Sequence, residues 1–196
     1  MNLIDIFINQ QGYARMKDFK VAKIHTRDVA NACADGLIEK IKPGLYRLVD
    51  YPWDEHSSFT DIYAANNKAV ICLLSAIEYY DLTTFNPTVV SVAIPHNAAK
   101  PKIIFPPTKI YFFKDKYYHT DIITIKSKNG TFSIYSIEKT IVDLFRYRNK
   151  IGDDIILEVL KNYIHHNKKN LYKLLECAKF FKIQDKLLPY MRAMVI

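Results

Sequence analysis

The chain has 196 residues, of which 49% are hydrophobic and 24% are charged, with 28 Lys and Arg against 20 Asp and Glu. This length corresponds to one large domain or two small ones, and the composition is that of a globular chain. The five glycines are too scattered for a GxGxxG or Walker loop, and the six histidines lack the spacing of zinc ligands. We therefore expect neither a cofactor nor a metal, which excludes the common nucleotide-dependent and zinc enzymes.

Three features predict a soluble, cytoplasmic protein without a membrane partner. Cys33, Cys72 and Cys177 form no CxxC pair and leave one cysteine over, so we expect no disulfide framework. The first residues carry an early acid and no basic leader, unlike a signal peptide. The longest apolar run, Ala69–Leu74, is far shorter than the roughly 20 residues that span a bilayer.

The net charge of +8 is concentrated near the C-terminal end. Residues 161–196 contain 8 Lys and Arg against 2 Asp and Glu, whereas residues 52–160 contain 12 of each. A basic balance suggests a polyanionic partner, although lysines on a solvated face produce the same balance. Seven lysines there form either a solvated face or a docking face for an acidic protein or nucleic acid: Lys161, Lys168, Lys169, Lys173, Lys179, Lys182 and Lys186.

Three short helices are predicted in the first 36 residues. Apolar residues at helical spacing predict a helix over residues 2–11 and a second over Ala14–Phe19. Thr26 is a favourable N-cap and Gly36 supplies a left-handed stop, so a third helix is predicted between them. Its outer face carries Arg27 and Asn31 among small alanines, so this face can approach a DNA groove and read base edges.

A basic hairpin follows the third helix. Leu37–Ile41 and Leu45–Leu48 read as two strands joined by a Lys-Pro-Gly turn. Three helices followed by a hairpin form the outline of a winged helix, whose third helix enters the major groove. The predicted DNA-binding residues are Arg15, Lys17, Lys23, His25, Thr26, Arg27, Asn31, Lys40 and Lys42. Winged helices also dock proteins, but the basic hairpin and the uncluttered face of the third helix favour DNA.

The remaining residues predict a larger second domain. Pro52 interrupts the pattern, so we expect a winged-helix domain over residues 1–51 and an α+β domain over residues 52–196. Residues 69–135 indicate a mostly antiparallel sheet, in which Asn129-Gly130 predicts a type I′ hairpin. The predicted fold class is α+β, with an N-terminal winged helix-turn-helix, this sheet and a C-terminal helical bundle.

The bundle begins with the clearest helix signal of the chain. Ser136 is a good N-cap, and the helix is predicted from Ile137 to about Arg148. Within it, Asp143 has the spacing to pair with Lys139 and with Arg146. Three further helices are predicted: one capped by Asp153, one over Leu171–Phe181 and one over Ile183–Met194.

The order of several motifs resembles the AbiEi family, the antitoxin half of a bacterial type IV toxin–antitoxin and phage-resistance system. The motifs are Ile41–Tyr46, Leu74–Ile77, Asp81–Thr83, Val92–Pro95 and Ile137–Leu144, and the resemblance extends over nearly the whole chain. Lys42 and Lys139 stand where the family often has Arg, which removes the bidentate fork of a guanidinium.

The resemblance implies a transcriptional repressor rather than an enzyme. It implies that the winged helix binds double-stranded DNA at repeats in its own promoter. It also implies that the C-terminal domain counters a nucleotidyltransferase-like toxin without forming a stable complex with it. A stand-alone winged-helix regulator and a protein-docking module remain the alternatives.

A metal-dependent nuclease is the enzymatic alternative, because clustered carboxylates with a lysine can hold a cation. The candidates are Asp5 with Asp18 and Lys20, or Asp153 with Asp154. Helix capping and ordinary surface placement explain both sets, so no catalytic activity is expected. Three polar residues of the Ile137 helix are likewise interpreted as structural rather than catalytic: Glu138, Thr140 and Asp143.

Overall fold

The computed structural model describes residues 2–195, which combine helices with two sheets and are compatible with the α+β class. The chain forms two compact units, each made of segments distant in sequence. Unit 1 comprises the described residues up to Ala69 together with Ala99–Thr108, here called the strap, and Ile125–Phe132. Unit 2 comprises Val70–Ala98, Lys109–Thr124 and the described residues from Ser133 onward.

The N-terminal part of unit 1 contains four helices and a three-stranded antiparallel sheet. In chain order the elements are α1 (Leu3–Asn9), β1 (Tyr13–Arg15), α2 (Met16–Val21), α3 (Thr26–Ala34), β2 (Ile38–Lys42), β3 (Leu45–Leu48) and α4 (Ser57–Ala65). The strand order is β1-β3-β2, so β2 lies at an edge of the sheet. The three predicted helices and the predicted hairpin are present, whereas the sequence does not predict β1.

Two local predictions in this region are wrong. The second helix begins at Met16 rather than Ala14, because Ala14 pairs with Tyr46 in the sheet. The third helix begins at Thr26 itself, and the extended residue His25 occupies the N-cap position without a side-chain capping bond. Thr26 therefore does not serve as the N-cap.

Aromatic side chains hold the helices of unit 1 against its hairpin. Phe7 of α1, Phe19 of α2 and Tyr46 of β3 are buried, with ring centroids 5.7 Å apart for Phe7–Phe19 and 5.8 Å apart for Phe19–Tyr46. Val29 and Ala32 of α3 are buried in the same cluster. Burial of each large apolar side chain contributes about 1.5–3 kcal/mol, so this cluster fixes the position of α3 on the sheet.

An ion-pair network joins the hairpin to α4. The two terminal nitrogens of the Arg47 guanidinium contact Asp61 at 2.7 Å and Glu39 at 2.8 Å. The Tyr13 hydroxyl donates to the other oxygen of Asp61 at 2.8 Å. Burial raises the pKa of Asp61 to about 6, although the Arg47 guanidinium and the Tyr13 hydroxyl oppose this shift. The boundary predicted after residue 51 lies inside unit 1, because this network places α4 with the hairpin.

Unit 2 is built around a group of helices and a five-stranded sheet, of which the residues within Ile125–Phe132 belong to unit 1. In chain order the elements are β4 (Val70–Ile71), α5 (Leu73–Tyr79), β5 (Val90–Pro95), β6 (Thr108–Phe113), α6 (Asp115–Tyr118), β7 (Ile122–Ser127), β8 (Gly130–Tyr135), α7 (Ile137–Arg146), α8 (Arg148–Ile151), α9 (Asp153–His165), α10 (Leu171–Phe180) and α11 (Gln184–Val195). The strand order is β6-β5-β4-β8-β7. Strand β4 is antiparallel to β5 but parallel to β8, so the sheet predicted to be mostly antiparallel contains a parallel pair.

The turn between β7 and β8 differs from the predicted type I′ turn. That turn needs a positive φ at both central residues, here Asn129 and Gly130, and the φ of Asn129 is not positive. Gly130, with φ of +138°, is instead the first residue of β8. The Asn129 amide donates to the Pro52 carbonyl at 3.1 Å, so a contact made within unit 1 replaces the local preference of the dipeptide.

Helix α7 forms the centre of unit 2. The Ser136 hydroxyl accepts the backbone N–H of Lys139 at 3.3 Å, which confirms the predicted N-cap. All residues of Ile137–Phe145 are buried. Helix α9 has Gly152 as its N-cap and begins at Asp153, so the capping role predicted for Asp153 is wrong.

The predicted charge pairs of α7 are present, and they are buried. The Lys139 ammonium and the Arg146 guanidinium both contact the Asp143 carboxylate. The ammonium also lies over the Tyr135 and Phe181 rings, at 4.5 Å and 4.8 Å from their centroids. Burial lowers the pKa of Lys139 and raises that of Asp143, so each charge depends on its partner.

Gly12 permits a close approach that we expect a single methyl group to disrupt. Its φ is +85°, and an added Cβ would lie 2.7 Å from the Trp53 ring and 2.9 Å from the Tyr51 ring. Gly36 also has a positive φ, of +71°, but an added Cβ there meets nothing within 4 Å. Gly36→Ala should lower the free energy of unfolding by about 1–2 kcal/mol through backbone strain alone. Gly12→Ala should cost about 1–3 kcal/mol more because of the overlap. Equal costs in urea unfolding would contradict this packing.

Removal of Asp143 should destabilise the protein more than removal of the whole pair. Asp143→Ala leaves the Lys139 ammonium unpaired in the core, and we expect a loss of about 3–5 kcal/mol in the free energy of unfolding. The double variant K139M/D143A removes the unpaired charge and should recover part of this loss. Urea denaturation of the two variants measures the difference. A double variant that is less stable than D143A would contradict the interpretation.

Candidate nucleic-acid interface

Helix α3 presents the predicted polar face to solvent. Arg27 and Asn31 are exposed, and Ala30 and Ala34 on the same side are exposed as well. The opposite side of the helix enters the core of unit 1. On this side the Arg27 guanidinium and the Asn31 carboxamide stand beside two alanines, and Asp28 of the first turn is exposed as well.

Two depressions flank α3 within unit 1. One, of about 370 Å³, lies at the start of the helix and is lined by His25, Thr26, Arg27 and Asp28. The other, of about 400 Å³, lies between α3 and the hairpin and is lined by Thr26, Ala30, Cys33, Ile38, Glu39, Lys40 and Tyr46. Four of the predicted residues line these two depressions, namely His25, Thr26, Arg27 and Lys40, whereas Asn31 is exposed on α3 but lines neither.

The other basic residues predicted to contact phosphate fall into two groups. Arg15, Lys17 and Lys23 are exposed, at the end of β1, in α2 and after α2. Lys42 is only half exposed, and its ammonium donates to the carbonyl of Ala65. Ala65 is the last residue of α4, so Lys42 satisfies a free carbonyl at a helix C-terminus. Burial, followed by repulsion from Arg15, lowers the pKa of Lys42.

The carboxylates proposed for a nuclease make local contacts. Asp5 accepts the backbone N–H of Asn2 at 2.8 Å, and Asp18 accepts that of Arg15 at 2.7 Å. Asp153 lies 3.8 Å from the Arg148 side chain. Within residues 2–195 no three His, Cys, Asp or Glu side chains are grouped to hold a metal ion.

No sequence pattern predicted the strap or the Arg47 network. The strap lies against β2, where the backbone N–H groups of Ile104 and Phe105 donate to the carbonyl of Ile41 at 2.7 Å and 3.2 Å. The Arg47 guanidinium lies 4.4 Å from the centroid of the Phe105 ring. The only sequence signal for this segment is its proline-rich composition, which does not identify a partner.

The N-terminal residues of the chain match a known protein family. No helix within the described residues has the length and apolarity to cross a membrane. No curated protein matches the chain. Residues 1–49 match the family described as "Transcriptional regulator, AbiEi antitoxin", which confirms the predicted resemblance over this segment and relates it to a family of regulators rather than of enzymes.

Proposed function

We propose that this protein is a DNA-binding antitoxin that represses its own operon through an N-terminal winged helix. The observation that carries the proposal is the exposed face of α3, within the segment that matches the regulator family. In this proposal α3 is the recognition helix and the β2–β3 hairpin is the wing. An arginine can bond two acceptors of guanine in the major groove, and an asparagine can bond adenine in the same way. Arg27 and Asn31 supply these two groups.

Backbone contacts position the helix without selecting a sequence. The exposed side chains of Arg15, Lys17, Lys23 and Lys40 supply the positive charges. His25 and Thr26 stand at the start of α3, where free backbone N–H groups and the helix dipole favour a phosphate. Lys42 was predicted to join this set, and in the proposal its main role is to hold α4.

The second part of the proposal concerns residues 52–196, and we assign the antitoxin role to the part of this range that lies in unit 2. There the protein counters a nucleotidyltransferase-like toxin without forming a stable complex, as the family resemblance implies. Glu138 and Asp143 act structurally in this proposal. Glu138 is buried and accepts the Tyr163 hydroxyl at 3.0 Å, while Asp143 balances two cations of its own helix.

The reading of base edges can be tested by removing the two side chains together. In R27A/N31A, binding to a duplex from immediately upstream of the gene should fall towards binding to a random duplex. Each lost bidentate contact costs about 1–3 kcal/mol, which corresponds to roughly 5- to 150-fold in discrimination. Fluorescence anisotropy with both duplexes at one salt concentration measures the ratio.

The matched control for this experiment is R192A/N167A, which removes the same residue types from exposed positions of unit 2. It should retain the discrimination of the unaltered protein. Full selectivity in R27A/N31A would exclude α3 as the reading helix. Failure of the unaltered protein to bind either duplex would overturn the repressor assignment and favour a protein-docking module.

The two lysines of the hairpin should behave differently when they are replaced. Lys40→Ala removes an exposed ammonium and should reduce the slope of log K against log salt by about 0.9, the value for one phosphate contact. Lys42→Met should leave this slope unchanged and should lower the free energy of unfolding by about 1 kcal/mol, because the Ala65 carbonyl loses its donor. Salt titrations and urea unfolding separate the two effects. Equal slopes for both variants would contradict this division.

A further inference from the structure

We infer that the strap extends the DNA-binding surface of the wing, with Lys100 and Lys102 contacting backbone phosphates next to Lys40. This inference rests on the proposed function, because it assigns further contacts to the same interface. The partner it specifies is a nucleic-acid duplex recognised by charge and not by sequence.

A bulge in β2 provides the attachment point. The register with β3 shifts between Lys40 and Lys42, so Ile41 lies at the bulge. Its carbonyl accepts the N–H groups of both Ile104 and Phe105. Because β2 is an edge strand, its outer side would otherwise present unpaired backbone groups. The strap therefore covers the edge of the wing at the residue between the two wing lysines.

Side chains fix the strap in this position. Ile103 and Phe105 pack against a buried cluster formed by Ile41, Leu45 and Ala65. Phe105 also lies beneath the Arg47 guanidinium, which two carboxylates hold in place. The strap is thus bound by both backbone and side chains.

The exposure of the strap residues alternates along the chain. Lys100, Lys102 and Ile104 are exposed, whereas Pro101, Ile103 and Phe105 are partly buried. Alternation of this kind is the pattern of an extended segment with one packed side and one solvent side. Pro101 also restricts Lys100 to extended conformations, which lowers the entropy lost when both lysines bind one backbone. The two ammonium groups therefore project from the solvent side of the covered edge.

The position and charge of these lysines suit a phosphate backbone. In an extended chain the Cα atoms of Lys102 and Ile104 lie within about 7 Å of each other. The backbone N–H of Ile104 is hydrogen-bonded to Ile41, the residue that follows Lys40. Residues 96–108 contain no Asp or Glu. Lys100 and Lys102 form no ion pair with any described residue. By contrast, the Lys42 ammonium of the β2–β3 hairpin donates a hydrogen bond to the Ala65 carbonyl. The strap thus supplies two unneutralised cations beside the single exposed ammonium of the wing.

The test compares two double variants of the full chain. K100A/K102A should reduce the slope of log K against log salt by about 1.8, and at 0.1 M salt affinity should fall about 60-fold. The loss should be equal on the duplex from upstream of the gene and on a random duplex, because phosphate contacts do not depend on sequence. K100R/K102R keeps both charges and should retain the slope.

The matched control is K126A/K128A, which removes two exposed lysines from the β7–β8 hairpin of the same unit. It should leave the slope unchanged. An unchanged slope in K100A/K102A, or equal reductions in both double variants, would overturn the strap assignment while the repressor assignment stands. Absence of DNA binding by the unaltered protein would overturn both, and thermal unfolding verifies that each variant is folded.

Discussion

The packing of the hairpin, α4 and the strap in unit 1 depends on the position of the Arg47 guanidinium. It is shared between Glu39 on the neighbouring strand and Asp61 on α4, and it lies over the Phe105 ring of the strap. One side chain therefore joins three segments that are far apart in sequence. Because Asp61 is fully buried, loss of the guanidinium would leave its carboxylate without a cation in the core. The Arg47 side chain therefore packs the hairpin, α4 and the strap together.

Basic residues of the hairpin that form contacts within unit 1 are not available to bind a partner. Arg47 and Lys42 both lie on the hairpin, and both are committed to contacts within unit 1. Lys40 is then the hairpin cation left exposed, so a charge count along the sequence overstates the positive potential of the β2–β3 hairpin. The strap restores that potential with two lysines that sequence order places more than fifty residues away. The exposed lysines of the hairpin and of the strap therefore belong to one unit only because the chain folds in this way.

In unit 2 the central charged side chains are buried and do not remain available for a partner. Its central helix α7 buries Lys139 and Asp143 among aromatic rings, where the pair is costly to desolvate but specific in geometry. Arg146 closes the group from the same helix and lies 3.5 Å from the centroid of the Tyr117 ring. The Ile137–Leu144 motif is thus a structural centre of unit 2. Thr140 of the same helix carries a buried hydroxyl without a hydrogen-bond partner in the described part of the chain.

Sequence spacing alone determined the features that depend on neighbours within one helical turn. It separated the Arg27 side of α3 from the Val29 side, and it identified Ser136 as a cap for α7. Only the tertiary structure decided the partner of Lys42, 23 residues away, and the attachment of the strap to β2. It also replaced the type I′ turn favoured by Asn129-Gly130 with a hydrogen bond from Asn129 to Pro52, 77 residues away. The physical reason is that capping and helical faces arise from local backbone geometry. Contacts across long loops leave no periodic pattern, since many distant partners have the same chemistry and only packing selects one.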